Sequence, residues 1–112
     1  MNINLENLKV AETIYGKMIF PENDVVVGKS LPLYGEWSEG ENIVMSQFVG
    51  PGDTVLDIGA NIGTTAISLS KNVGVEGKVY AFEPQQFISQ CFNANLLINN
   101  IKNVVAFSLA VS

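Results

Sequence analysis

The spacing of hydrophobic residues changes from a strand pattern to a helix pattern in the middle of the chain. Residues 55–58 form a short, mostly apolar run bounded by Pro51-Gly52-Asp53, with the length and punctuation of a strand buried on both faces. Apolar residues then recur at helical spacing, at Ile62, Ala66, Leu69 and Val73. Since Gly59 and Gly63 lie between the two patterns, the sequence predicts a strand, a glycine turn and a helix, the first half of a βαβ unit.

The same alternation continues downstream. Residues 78–82 predict a second strand, residues 85–100 a second crossover helix, and residues 103–107 a third strand. The apolar stripe of the second helix consists of Phe87, Cys91, Ala94 and Ile98, widened by Ile88 and Phe92. Because crossovers between parallel strands are right-handed, we expect the sheet order third, second, first. The predicted fold class is α/β, the N-terminal half of a doubly wound, Rossmann-like sheet.

The residues before Pro51 predict a smaller unit that precedes the sheet. Residues 1–12 carry no motif and suit a short helix or an arm. Residues 13–20 and 25–28 are rich in β-branched and aromatic residues and predict a hairpin outside the main sheet, with its turn at residues 21–24. Ser38 and Glu41 match a capping box and predict a helix to about Val49. We therefore expect an N-terminal extension at residues 1–50 and a partial Rossmann-like domain at residues 51–112.

The glycine turn is the first candidate binding site. Glycines there allow a ligand to lie against backbone N–H groups at the positive end of a helix, which suits a carboxylate or a phosphate. The dinucleotide fingerprint requires glycine at the first, third and sixth places of the turn, which here hold Gly59, Asn61 and Thr64. This substitution disfavours a nicotinamide dinucleotide. The alternative is a glycine turn that binds nothing.

A second candidate position lies one crossover later, where the second strand is followed by Glu83 and Pro84. Consecutive parallel strands joined by a right-handed crossover are usually neighbours, so Glu83 should lie beside the first turn. There its two carboxylate oxygens can accept from both hydroxyls of a ribose. The two signals together predict a nucleoside site at the carboxyl ends of the first two strands.

An acidic residue ending the first strand, Asp57, followed by Gly59 and Gly63, resembles the first motif of class I S-adenosylmethionine-dependent methyltransferases. The run Gly59-Ala60-Asn61-Ile62-Gly63, preceded by residues 51–57, is similar to the FkbM family of these enzymes in particular. The resemblance implies that the first turn holds the methionine half of S-adenosylmethionine. The cofactor-binding residues that it implies are Asp57, Gly59, Ala60, Asn61, Gly63, Glu83, Pro84 and Ala110, the last near the adenine.

The reaction that the resemblance implies is O-methyl transfer to a hydroxyl of a small molecule or sugar. Asp57 and Glu83 are both committed to the cofactor in this interpretation, so the catalytic residues stay unknown. Two alternatives remain open. One is a non-catalytic methyltransferase-like module used for binding or assembly, and the other, less favoured, is a fragment of an NAD-binding dehydrogenase.

The amino-acid composition limits the classes of partner and site that the sequence predicts. The chain has 112 residues, a net charge of −5, six lysines and no arginine, and we expect from this balance that nucleic acid is not a partner. The absence of histidine excludes an imidazole base and a histidine metal site within the sequence, and no metal is predicted. The single cysteine, Cys91, lies in a helical pattern and is expected to be a small buried thiol.

Features that the sequence lacks lead to expectations about the location of the protein in the cell and about the completeness of the domain. It has no apolar run near the ~20 residues of a membrane span and no basic and apolar leader, so we expect a cytoplasmic protein with no membrane partner. Three strands leave one edge of the first strand unpaired. We therefore expect either the N-terminal part of a longer protein, inactive alone, or a homo-oligomer that covers the open edge.

Overall fold

Two sheets and two helices make up the part of the chain that the computed structural model describes, which is residues 8–21, 45 and 47–111. In chain order the elements are β1 (Leu8–Thr13), β2 (Gly16–Pro21), β3 (Thr54–Ile58), α1 (Thr64–Val73), β4 (Lys78–Phe82), α2 (Gln86–Ile98) and β5 (Val104–Phe107).

Strands β3, β4 and β5 form one parallel sheet in that spatial order. Helices α1 and α2 are the crossovers between consecutive strands. The order is the predicted one, so the predicted α/β fold, half of a doubly wound sheet preceded by a hairpin, is confirmed. The predicted apolar stripe of α1 is also confirmed, since all four of its members are buried, namely Ile62, Ala66, Leu69 and Val73.

The prediction that β3 is buried on both faces is wrong. Val55 is half-buried and packs against the core, whereas Leu56 and Ile58, on the opposite face, are 63% and 62% exposed. On the same face of the sheet, the rings of Phe82 and Phe107 stack at 4.9 Å. Apolar composition predicts that a strand can be buried on both faces, but burial also requires an element to cover each face.

The hairpin lies outside the main sheet, as predicted, but its strands are displaced along the chain. The structure has the turn at Ile14 and Tyr15, inside the segment predicted as one strand, and residues 8–13 are strand β1 instead of a helix or arm. The Thr13 hydroxyl forms the turn by donating to the Gly16 carbonyl (2.8 Å) and accepting from the Tyr15 N–H (3.0 Å). Ile14 and Tyr15 are residue types that favour strands, so the composition of this segment does not indicate a turn. The second predicted strand, residues 25–28, lies outside the described residues.

The helix predicted from Ser38 lies mostly outside the described residues. Met45 is helical, and residues 47 and 48 already form a turn in which the Phe48 N–H donates to the Met45 carbonyl (2.9 Å). The helix therefore ends before the predicted boundary at Val49.

Helix α2 holds the hairpin through two asparagines one turn apart. Asn95 accepts from the Ile19 N–H (2.6 Å) and donates to the Ile19 carbonyl (3.0 Å). Asn99 makes the same pair of bonds with Lys17, at 3.1 and 2.8 Å. The two amides therefore satisfy the outer backbone edge of β2 as a neighbouring strand would.

The buried face of α2 consequently differs from the predicted stripe. Cys91 is buried as predicted, but Ile98 is exposed and Phe87 and Ala94 are only half-buried. The buried positions are Ser89, Cys91, Phe92, Asn95 and Leu96. The stripe counted only apolar residues, and a buried asparagine with three protein partners is invisible to that count.

Replacing Asn95 with alanine should strongly destabilise the chain. Asn95 is fully buried, and its loss would leave the Ile19 N–H and the carbonyls of Ile19 and Ile62 without this partner. Unsatisfied buried groups cost about 1–3 kcal/mol each, so we expect a loss of roughly 3 kcal/mol in urea unfolding. Asn93→Ala is the matched control, since Asn93 is exposed and donates only to Ser89 within α2 (2.9 Å). Equal unfolding midpoints for the two variants would contradict this role.

Candidate functional site

The turn after β3 and the end of β4 meet at the carboxyl edge of the sheet. Ile58 pairs with Phe82, and the Phe82 carbonyl accepts from the N–H groups of Gly59 (2.8 Å) and Ala60 (3.0 Å). The chain after Phe82 therefore lies directly against the glycine turn, as predicted from the crossover geometry.

Glu83 connects the two segments. It is only 5% exposed, and its Oε1 accepts from the Asn61 N–H (2.7 Å) while its Oε2 accepts from the Gln85 N–H (3.0 Å). The structure thus brings Glu83 to the turn. A carboxylate offers about four acceptor positions, so two remain for other donors.

The backbone donors of the turn are used within the chain, which corrects the expectation that they face a ligand. Besides Gly59, Ala60 and Asn61, the Ile62 N–H donates to the Asn61 side chain (2.8 Å) and the Gly63 N–H to the Ala60 carbonyl (3.1 Å). Helix α1 begins at Thr64 with no side-chain cap. An anionic group at this edge would therefore meet the first-turn N–H groups of α1, which have no intrahelical acceptor.

Asp57 supplies the feature that points most directly to a ligand. Its Oδ2 is buried and has no hydrogen-bond partner among residues 8–21 and 47–111. Burial raises the pKa of Asp57 above its ordinary value, and the neighbouring Glu83 charge raises it further. An unpartnered buried carboxylate oxygen is costly, and a donor such as an ammonium group would relieve that cost.

The two glycines of the turn serve different purposes. At Gly59, with φ +78°, a Cβ would meet no atom of the described residues within 4 Å, so the backbone there faces space that they leave open. At Gly63, with φ +107°, a Cβ would lie 2.5 Å from the Phe92 ring. The small size of Gly63 is therefore required by packing, whereas Gly59 borders space that a ligand could fill.

The other predicted site residues are distributed unevenly. Asn61 lies in the turn with φ +55°, a conformation that asparagine tolerates well. The Ala60 side chain is buried in the core, and Pro84 is exposed beside Glu83. Ala110 is exposed three residues after the end of β5.

The centre of the candidate site therefore consists of Asp57, Gly59, Asn61 and Glu83. The sequence predicted an anionic group at the positive end of the helix that follows the turn, and the structure gives α1 no side-chain cap there.

The arrangement suits a ligand that carries both charges. A cationic donor fits the unpartnered Asp57 carboxylate beside Glu83, and an anionic group fits the start of α1. The amino-acid end of a small molecule has both groups on adjacent atoms. The open space over Gly59 gives such an end room to approach the backbone.

Cys91 is buried, as predicted, and burial raises the pKa of its thiol. It therefore lacks the thiolate character of a reactive cysteine. Residues 8–21 and 47–111 contain no group of three or more acidic, histidine or cysteine residues arranged to hold a metal ion.

None of the helices in the described ranges is long and apolar enough to cross a membrane.

Comparison with solved structures shows which known proteins have a similar fold. An Aquifex aeolicus protein named as a SAM-dependent methyltransferase matches 79% of this chain and 44% of its own length, with 27% identity and a TM-score of 0.59. A Clostridium thermocellum protein assigned as an rRNA methylase matches 67% and 41%, with 26% identity and a TM-score of 0.61. TYW2 of Pyrococcus horikoshii, in complex with MeSAdo, matches 93% and 36%, with 17% identity and a TM-score of 0.69.

The chain therefore has the fold of SAM-dependent methyltransferases and spans less than half the length of these structures. Neither the protein-family models nor the curated proteins gave a match.

The prediction that nucleic acid is not a partner is wrong. A protein of this fold with 26% identity is assigned as an rRNA methylase, so the acidic balance of the sequence does not exclude a nucleic-acid substrate. The physical reason is that net charge averages over the molecule, whereas phosphate responds to charges within about 10 Å at moderate ionic strength.

Asp57→Asn should stabilise the ligand-free chain at neutral pH. The raised pKa of Asp57 in the folded state means that stability falls as pH rises from the ordinary value of 3.8 through the folded value. Asparagine keeps the shape and removes the charge, so the melting temperature should exceed that of the wild type at pH 7. The difference should vanish as pH falls toward 3.8.

Asp53→Asn is the control, because Asp53 is exposed and its carboxylate already accepts from the Gly50 N–H (2.8 Å). A lower melting temperature for Asp57→Asn than for the wild type at neutral pH would contradict the account of Asp57.

Proposed function

We propose that this chain is the cofactor-binding part of a class I S-adenosylmethionine-dependent methyltransferase. The observation that carries the proposal is the buried Asp57 oxygen, which has no partner among the described residues and lies beside Glu83 and the space over Gly59 that those residues leave open. The methyltransferase fold of the chain supports it. When bound, the cofactor supplies a methyl group on a sulfonium centre.

Different residues of the chain would bind different parts of the cofactor. Asp57 would accept from its ammonium group, and the start of α1 would receive its carboxylate. Glu83, with acceptor positions left after binding Asn61 and Gln85, would accept from ribose hydroxyls. Gly59, Ala60, Asn61 and Gly63 shape the turn, and Pro84 and Ala110 border the nucleoside.

The finer proposal is membership of the FkbM type, with O-methyl transfer to a hydroxyl of the acceptor. It is supported by the run Gly59-Ala60-Asn61-Ile62-Gly63 after Asp57. Residues 1–50 are then an N-terminal extension of the cofactor domain, and this chain alone should not turn over. No catalytic base is proposed among its residues.

The test is ligand-dependent thermal stabilisation with S-adenosylhomocysteine. A ligand at ~100 times its dissociation constant stabilises the native state by ~2.7 kcal/mol, which is several degrees for a small domain. S-adenosylhomocysteine should raise the melting temperature and NADH should not. Gly59→Ala should weaken binding by at least ~10-fold, because the new Cβ enters the open space of the site.

Gly52→Ala is the matched control. Gly52 also has a positive φ, +85°, and a Cβ there would also meet no atom of the described part of the chain within 4 Å, but Gly52 precedes β3 at the other end of the sheet. Both variants therefore carry similar backbone strain, and only Gly59→Ala should lose the ligand effect. Stabilisation by NADH alone would contradict the proposal, as would equal ligand affinity of the two variants.

A further inference from the structure

A cavity lies at the end of the sheet opposite the candidate cofactor site. Its volume is about 530 Å³, within the usual range of small-molecule sites. It is lined by the end of α1 and the turn after it, by the first residue of β4, and by the segment between α2 and β5. All of these lie at the amino ends of the strands, whereas Glu83 and the glycine turn lie at the carboxyl ends.

Lysines supply the charge on the lining of this cavity. Among the described residues, the lining includes Lys71, Lys78 and Lys102, three of the six lysines of a chain whose net charge is −5, and no acidic residue. Among the described residues, Lys17 forms an ion pair with Glu12 at 3.9 Å, which lies in the hairpin and away from this cavity.

Two acidic residues lie next to the lining, Glu76 in the turn after α1 and Asp53, whose carbonyl accepts from the Lys78 N–H (3.0 Å). Three lysines against these two carboxylates leave the described surroundings of the cavity with an excess of positive charge in a chain that is acidic as a whole.

Lysines near helix ends commonly neutralise free carbonyls, but several carbonyls at these two helix ends have other donors. The Asn103 amide donates to the carbonyls of Ser70 (2.8 Å) and Gly74 (2.9 Å). At the end of α2, the backbone N–H groups of Asn100 and Ile101 donate to Leu97 and Leu96, at 3.1 and 2.9 Å. The carbonyls of Ser70, Gly74, Leu96 and Leu97 are therefore satisfied without a lysine.

We propose that this cavity binds the phosphate of a nucleotide or of an RNA backbone. Ammonium groups bind phosphate oxygens as point charges, and three around one cavity can share a single phosphate or span neighbouring ones. Val75, which is fully exposed, and Ile101 give the same cavity apolar surface for a sugar or base. The site is separate from the cofactor site and does not depend on its identity.

The test is binding of a fluorescein-labelled single-stranded RNA by fluorescence polarisation, with sodium tripolyphosphate as competitor. The double variant Lys71→Gln/Lys102→Gln should weaken RNA binding by at least ~10-fold and reduce the slope of log affinity against log salt by about 1.4, at ~0.7 per phosphate contact. Both lysines are exposed, so folding should be preserved. Retained stabilisation by S-adenosylhomocysteine would show that the other site is intact.

The control is Lys9→Gln/Lys17→Gln in the hairpin, which changes the net charge equally and should alter affinity by less than ~2-fold. Tripolyphosphate should displace the RNA if the backbone is bound. Saturable tripolyphosphate binding without RNA binding, lost in the Lys71/Lys102 variant, assigns the site to free nucleotides. Equal loss in both double variants, or no saturable binding of either probe by the wild type, would overturn the proposal.

Discussion

The buried carboxylate of Glu83 is the interaction on which the candidate site depends. By accepting from the Asn61 N–H and the Gln85 N–H, it fixes the glycine turn after β3 against the chain leaving β4. Burial, and to a smaller extent the same negative charge, raise the pKa of the neighbouring Asp57, whose buried oxygen has no partner in the described part of the chain. Glu83 thus orders the glycine turn, but it leaves the nearby Asp57 carboxylate in an unfavourable environment. Such perturbed carboxylates are typical of binding sites.

Helix α2 supports the site from the side away from the ligand space. The Phe92 ring occupies the position that a side chain at Gly63 would take, and the Asn95 amide donates to the Ile62 carbonyl at 2.8 Å. The same asparagine binds the backbone of Ile19 in the hairpin. The hairpin, the helix and the turn therefore share one core, and the conformation of the turn is coupled to the docking of the hairpin.

Local patterns in the sequence were sufficient for the sheet and for the position of Glu83. Strand β4 agrees with its prediction residue for residue, and the order of β3, β4 and β5 follows from crossover handedness. The failures involve information that a local pattern does not contain. The hydroxyl of Thr13 makes a turn out of two strand-forming residues, and the burial of Asn95 depends on backbone groups 76 residues away.

The sequence predicted which segments form the site but not which of its hydrogen-bond donors are already used. The spacing from Asp57 to Glu83 indicated which segments meet, but the sequence could not show that the turn's own N–H groups are used internally. Nor could it show that Gly63 is small because of Phe92, or that three lysines surround one cavity. Composition treats those lysines as part of an acidic average, so charge alone gave the wrong conclusion about nucleic acid.

The most direct test of the central claim is an amide NMR titration of the full chain with S-adenosylhomocysteine. If Asp57, Glu83 and the turn hold the amino-acid and ribose ends of the cofactor, the largest shifts should fall on the amides of residues 59–65 and on Gln85. Saturable shifts confined to other parts of the chain, or none at these amides, would contradict the account.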